Sequence, residues 1–155
     1  MDEIIVELAV AGDRDTLAAM YSADMQELGV NQTPEDLRRL VSTSLENQGL
    51  HSHTWVARAS DGAISGVLLA APFWSLKVAG RALWIEELYV PPEFRRRGIA
   101  RQLVDFCMDW ADENGFEGVE LEAYRMNTAA SCLYRALGFR RLAHERYCFH
   151  FEVDG

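Results

Sequence analysis

Two adjacent carboxylates, Glu86 and Glu87, interrupt an otherwise apolar run over residues 83–90. Pro91-Pro92 ends that run, and Arg95-Arg96-Arg97-Gly98-Ile99-Ala100 then leads into an amphipathic helix that also carries Arg101. Backbone N–H groups at a helix N-terminus, with positive charge nearby, make an anion site. Gly98 lets the backbone come close to a ligand. Arginines at a helix start conflict with the helix dipole, which favours acids there, and a bound anion removes the conflict. The residues alone point to a phosphorylated ligand beside a pair of acids. Adjacent strand residues face opposite ways, so only one of the two acids faces a given cleft unless a bulge intervenes.

Several elements must position this stretch. A strand is expected over residues 4–10, then a helix capped by Asp13 or Asp15 with Leu17, Met20, Tyr21 and Leu28 on one face and Gly29 at its end. Thr33-Pro34-Glu35-Asp36 starts a second helix that buries Leu37, Leu40, Val41 and Leu45. Strands over 53–59 and 63–73 flank the turn signal Asp61-Gly62. A turn over 74–81, pivoting at Gly80, leads into the 83–90 strand. Ile99, Leu103, Phe106, Cys107 and Trp110 then form one apolar stripe, closed by Asn114-Gly115. A short strand over 118–123 is followed by a helix from Asn127-Thr128 that carries Ala130, Leu133, Tyr134 and Leu137 and stops at Gly138-Phe139. One or two closing strands are expected over 140–153, turning through His144-Glu145. The order βααβββαβαββ predicts an α/β (α+β) mixed sheet with helices on both faces, as a single domain over residues 1–155.

Composition narrows the function. The 155 residues are 49% hydrophobic and 25% charged, an average soluble composition. A net charge of −9 argues against nucleic acid as a partner and suits a cationic one. No apolar run reaches the ~20 residues of a membrane span. The acidic start MDEIIVELAV lacks a positive leader segment, so a cytoplasmic protein is expected. Cys107, Cys132 and Cys148 are widely spaced and read as small buried hydrophobes. His51, His53, His144 and His150 lack the spacing of a metal site and read as surface or turn residues, so no metal is expected. His51 can border a ligand cleft. Trp55 and Trp84 read as core, while Phe73-Trp74 divide evenly between core and a pocket wall.

The run WIEELYV followed by Arg95-x-x-Gly98-x-Ala100 resembles the coenzyme-A loop of the GCN5-related N-acetyltransferases (GNAT). The downstream pattern Asn127-x-x-Ala130-x-x-x-Tyr134-x-x-x-Gly138-Phe139 resembles the family's second element, and the element order matches from end to end. The pattern allows Ala100 where glycine is commoner. The resemblance implies the GNAT-like acyl-coenzyme-A N-acyltransferase fold, with acetyl-coenzyme A as cosubstrate. It implies that the backbone of Arg95, Arg96, Arg97, Gly98, Ile99 and Ala100 cradles the pyrophosphate, with charge added by Arg95, Arg96 and Arg101. The pantetheine arm would pair with the backbone of Leu88, Tyr89 and Val90. Asn127 would contact it or cap the last helix, and Tyr134 would lie near the sulfur. Family members often dimerise, so a homodimer through the C-terminal strands is expected.

The chemistry this implies is direct attack of an amine on a thioester. LWIEELYV resembles the acidic form found in diamine (polyamine) acetyltransferases, which makes Glu86 the base candidate, acting through water, and lets Glu87 help bind a cationic amine. A carboxylate near the ordinary value of ~4.3 is too weak a base, so burial or a second carboxylate must raise it. Glu122 reads as an exposed position of its strand. Tyr134 would protonate the leaving thiolate, and the N–H near Leu88 would polarise the thioester oxygen. The acceptor expected is a small primary amine. A protein N-terminus or lysine, and a non-catalytic acyl-coenzyme-A-binding module, are the rival readings.

Overall fold

A computed structural model describes residues 3–151. The chain divides into two compact units, Met1–Glu122 and Ala123–Gly155. In the first, β1 (Ile4–Leu8) precedes α1 (Arg14–Leu28) and α2 (Pro34–Glu46). Next come β2 (His53–Ala59), β3 (Ile64–Ser75) and β4 (Gly80–Tyr89), then α3 (Ile99–Glu113) and β5 (Gly118–Leu121). The strands form one sheet in the order β1-β2-β3-β4-β5. The first three pairings are antiparallel and β4–β5 is parallel, with α3 as the crossover. The mixed α/β sheet expected from the sequence is present.

Alternation along the central strands places a helical layer on each face. Val56, Val67 and Tyr89 join Leu17, Met20, Tyr21, Leu37 and Val41 in a core under α1 and α2. Residues of opposite parity meet α3: the Trp55 ring lies 5.8 Å from Phe106 and 5.1 Å from Trp110. Gly66 permits this approach, because a Cβ there would sit 2.9 Å from Ile99 Cγ2 and 3.0 Å from Leu103 Cδ1. Gly66→Val should lower the unfolding free energy by about 1–3 kcal/mol, read by urea denaturation, through overpacking at the α3 seat.

Capping follows the sequence. Gly29 closes α1 at φ 72°, and the Thr33 hydroxyl accepts the Asp36 N–H at the start of α2. Asp13 is buried, yet its carboxyl lies below the ordinary value. Burial works to raise it, but hydrogen bonds from Arg58 and the Val10 N–H, with the guanidinium charge, outweigh that. Arg58 also bonds Glu7 across the β1–β2 pair. Arg58→Ala leaves Asp13 buried without its cation, so a loss of about 2–4 kcal/mol in unfolding free energy is expected at neutral pH. Because the folded value is depressed, the Asp13 contribution is lost as pH falls through it, and the gap between the two proteins should narrow in acid.

Leu40, expected in the core of α2, is exposed, and further expectations differ from the structure. The β3–β4 turn pivots at Ala79, with φ 56°, rather than at Gly80. Gly80 instead makes room for Glu117, whose Cγ would lie 2.6 Å from a Cβ there. His53 is a buried ring stacked 5.4 Å from Trp55, and burial lowers its pKa. Cys107 is buried as expected, with its thiol pushed up to about 12 by burial, whereas Cys132 and Cys148 are exposed.

The second unit contains α4 (Thr128–Ala136), with Gly138 at φ 94° after it. The Asn127 side chain caps it, accepting the Ala130 N–H at 3.1 Å. The expected closing strands are not formed over residues 140–151; positions 152 and 153 lie outside the described residues. Tyr147, Phe149 and Phe151 keep strand alternation, but all are exposed. Alternation is local, whereas a strand exists only where a partner ladder takes its N–H and C=O groups. Among the described residues no helix is long and apolar enough to cross a membrane.

Candidate functional site

The two glutamates sit at a bulge in β4. Against β3, Leu69 pairs with Glu87 and Ala70 with Ile85, so Glu86 is the extra residue. The bulge brings both acids to the α1 face. Trp84 Nε1 donates to Glu86 Oε2 at 2.8 Å, which places those two residues together. Glu87 shares its face with Tyr89, whose ring lies in the core under α1 and α2. The two acids differ in setting: Glu86 is exposed and Glu87 half-buried. Burial raises the Glu87 pKa; the Leu88 N–H and a hydrogen bond with Asp24 work downward, and the Glu86 and Glu122 charges work upward. The net direction is up.

Asp24 is the residue that the sequence reading missed. It follows Leu17, Met20 and Tyr21 on the inward face of α1 and is 5% exposed. Its pKa is pushed up to about 8, first by burial, then by the Glu87 charge, the Glu87 hydrogen bond and the Glu27 charge, against Arg95. The signal was present, since an aspartate seven, four and three residues after Leu17, Met20 and Tyr21 lies on their apolar stripe. Tyr21 Oη is also buried without a hydrogen-bond partner.

β4 pairs with β5 only from Ala82 to Ile85, although it continues beside β3 to Tyr89. The β5-facing edge beyond Ile85 therefore has no ladder partner from β5. This is the edge at Leu88 and Tyr89, followed by Val90, that was expected to take an extended ligand arm. The Leu88 N–H donates to Glu87 Oε1 at 3.3 Å, so it polarises another oxygen only when that contact yields.

After the strand, Pro92–Phe94 makes a single turn, and the chain reaches α3 through left-handed residues at Arg96 (φ 64°) and Gly98 (φ 77°). No side chain caps α3 and its first turn holds no acid, so the N–H groups of Ile99, Ala100 and Arg101 open the helix uncapped. The arginines divide their work. Arg95 Nε donates to the Val90 carbonyl and its Nη2 to the Glu27 carboxylate, which ties the turn to β4 and α1. Arg97 lies over the Phe94 ring at 5.9 Å, and Arg101 is 3.8 Å from Asp105. Phe73 is partly buried and Trp74 is 80% exposed, so Trp74 is not core.

In the second unit Tyr134 lies on α4, its ring 5.9 Å from Phe139 in an edge-to-face contact. Ala130 stands one turn earlier, at the cap that Asn127 makes.

A strand that parts from its neighbour and runs into an uncapped, arginine-rich helix start suits a long phosphorylated donor, and acids at the same strand suit proton transfer. The sequence model of the Acetyltransferase (GNAT) family matches residues 17–139, and the chain belongs to that family. Among curated relatives, human N-acetyltransferase 8 is 27% identical over 113 residues, which cover 73% of this chain and 48% of that protein. A thialysine N-epsilon-acetyltransferase of Caenorhabditis elegans is 28% identical over 126 residues, covering 81% and 74%. The chain spans about half the length of the first of these relatives. Among solved structures, the aminoglycoside N-acetyltransferase AAC(6')-Iy in complex with CoA superposes with a TM-score of 0.78 at 19% identity, covering 98% and 96% of the two chains.

Proposed function

We propose that this protein transfers the acetyl group of acetyl-coenzyme A to a primary amine, and that the acceptor is a small cationic amine. The observation that carries the proposal is β4 itself, whose β5-side edge is open beyond Ile85 and whose bulge turns two acids to one face. Family membership supports the reaction, and relatives named for thialysine and aminoglycosides support an amine acceptor.

Bound acetyl-coenzyme A supplies an acetyl group activated as a thioester. The uncapped first turn of α3, with no acid in it, fits a pyrophosphate, and Arg96, Arg97 and Arg101 add positive charge there. Arg95 holds the turn against β4 through Val90 and Glu27. Glu86 and Glu87 accept protons and attract the acceptor's charge. Glu87 has the raised pKa that a base for an ammonium needs. Tyr134 is assigned the proton that the departing thiolate takes up, a role resting on the family motif.

The test is a mass-spectrometric screen with acetyl-coenzyme A. Di- and polyamines, lysine analogues and aminoglycosides are set against N-terminal and lysine-bearing peptides. Acetylation of small amines is the expected result. Modified peptides with untouched amines move the acceptor to proteins. Stabilisation by acetyl-coenzyme A in a thermal shift with no acetylated product of either kind identifies a binding module instead.

A further inference from the structure

We propose that Asp24 of α1 is a positioning residue for the reaction: it shares one proton with Glu87, holds that proton itself, and so presents Glu87 as the ionised acceptor of the ammonium proton. This rests on the acetyltransferase reading above and adds to it a residue outside the family motifs.

The first support is hydrogen-bond accounting. With both carboxyls ionised, Asp24 Oδ2 is buried and has no donor at all. One proton between the two groups resolves this, because the carboxyls then hydrogen-bond to each other, Asp24 donating and Glu87 accepting. The second support is the crowd of charge. Glu86 and Glu122 act on Glu87, and Glu27 and Glu87 act on Asp24, while Arg95 is the cation that acts on Asp24 and is itself ion-paired with Glu27. Several carboxylates cannot all stay ionised around a buried one, and the most buried member takes the proton. That member is Asp24. The direction of its pKa agrees with the geometry. Tyr21 Oη, one turn earlier on the same face, is a further buried polar group without a partner, so this face of α1 carries two groups that its own fold leaves unsatisfied.

The arrangement matches the proton balance of the reaction. An ammonium that becomes an amide gives up two protons: one leaves with the thiol, and one must reach solvent through the protein. As the N–H bond breaks, an O–H bond forms on Glu87, and the pair goes from one proton to two. In a buried, acid-crowded place the neutral form of the pair is the favoured one, so Glu87 becomes a stronger base than an isolated carboxylate. Its second proton then passes to water before the next turnover.

The full chain tests this in two ways. Infrared difference spectra across a pH titration should show one protonated carboxyl at neutral pH in the parent. The band should vanish in Asp24→Asn and shift in Glu87→Gln. With the best acceptor from the amine screen, or 1,4-diaminobutane as the first probe, the rising limb of the kcat/KM–pH profile should move to higher pH by about one unit or more in Asp24→Ala, which removes the proton donated to ionised Glu87, and should keep its place in Asp24→Asn, which retains a neutral donor. If Asp24→Asn does not fold, the band in Glu87→Gln and in the parent still decides proton sharing. Turnover without a protonated carboxyl at neutral pH overturns the pair and leaves the acetyltransferase reading standing. A protonated carboxyl without acetylation of any amine overturns the acetyltransferase reading and, with it, the catalytic role of Asp24. An unmoved pH limb in a folded Asp24→Ala overturns the positioning role.

Discussion

Between about pH 4.5 and pH 8.5 the parent protein should lose stability that Asp24→Asn does not lose, on the order of a few kcal/mol. The Asp24 pKa is about 8 in the fold, against an ordinary value of 3.8. Below the ordinary value both folded and unfolded chains hold the proton, and the group contributes nothing to the pH dependence. As pH rises from there, the unfolded chain releases its proton while the folded chain keeps it, so stability falls. The fall levels off only above the folded value. Glu87 broadens the transition, since the two carboxyls titrate as a pair. The asparagine keeps a donor for Glu87 but removes the titration. His53 acts on stability in the other direction, because burial lowers its pKa and stability is lost as pH falls below its ordinary value of 6.5. That term is common to both proteins and cancels in the comparison. Urea denaturation at both pH values reads the difference. Parallel pH profiles for parent and variant would mean that Asp24 titrates normally.

The residues around this centre differ in how far the sequence disclosed them, and the difference is one of range. The turn from β4 into α3 was legible because its signals are local: the double proline, the arginines, the left-handed Gly98 and the stripe Ile99, Leu103, Cys107 all act on their own neighbours. The bulge was not legible. Which of two adjacent glutamates is the extra residue is set by the register against Leu69 and Ala70, a strand formed earlier in the chain. His53 was misplaced for the same reason, since its burial depends on Trp110 of a distant helix, 4.5 Å away ring to ring. Asp24 is the instructive case. Its place on the apolar face of α1 was visible, but an aspartate there reads as an interruption until the strand opposite is known to carry a second carboxyl. At residues 140–151 the reverse happened: the alternation of Tyr147, Phe149 and Phe151 looked like a strand, and no ladder completes it among the described residues.

Glu87→Gln should lower kcat with a small cationic amine about 100-fold or more, while Glu86→Gln should lower it by less than about tenfold. The resemblance to diamine acetyltransferases put the base at Glu86, and the geometry argues for its neighbour. An effective base must be raised toward the pH at which it works, and it needs a setting in which gaining a proton is favourable. Glu87 has that setting in its burial and in the Glu86 and Glu122 charges, which together outweigh the downward pull of the Leu88 N–H and the Asp24 hydrogen bond. Glu86 is exposed and its Oε2 accepts the Trp84 indole N–H, an arrangement suited to meeting a positive charge near the strand edge. The two substitutions should therefore separate in the kinetic constants. Glu87→Gln acts on kcat and removes the rising limb of its pH profile, whereas Glu86→Gln acts chiefly on KM for cationic acceptors. Glutamine preserves size and one acceptor oxygen at each position, so lost packing does not account for a large effect. A larger kcat loss at Glu86 than at Glu87 would return the base to the exposed glutamate. The Asp24–Glu87 pair would then be confined to the stability profile rather than the reaction.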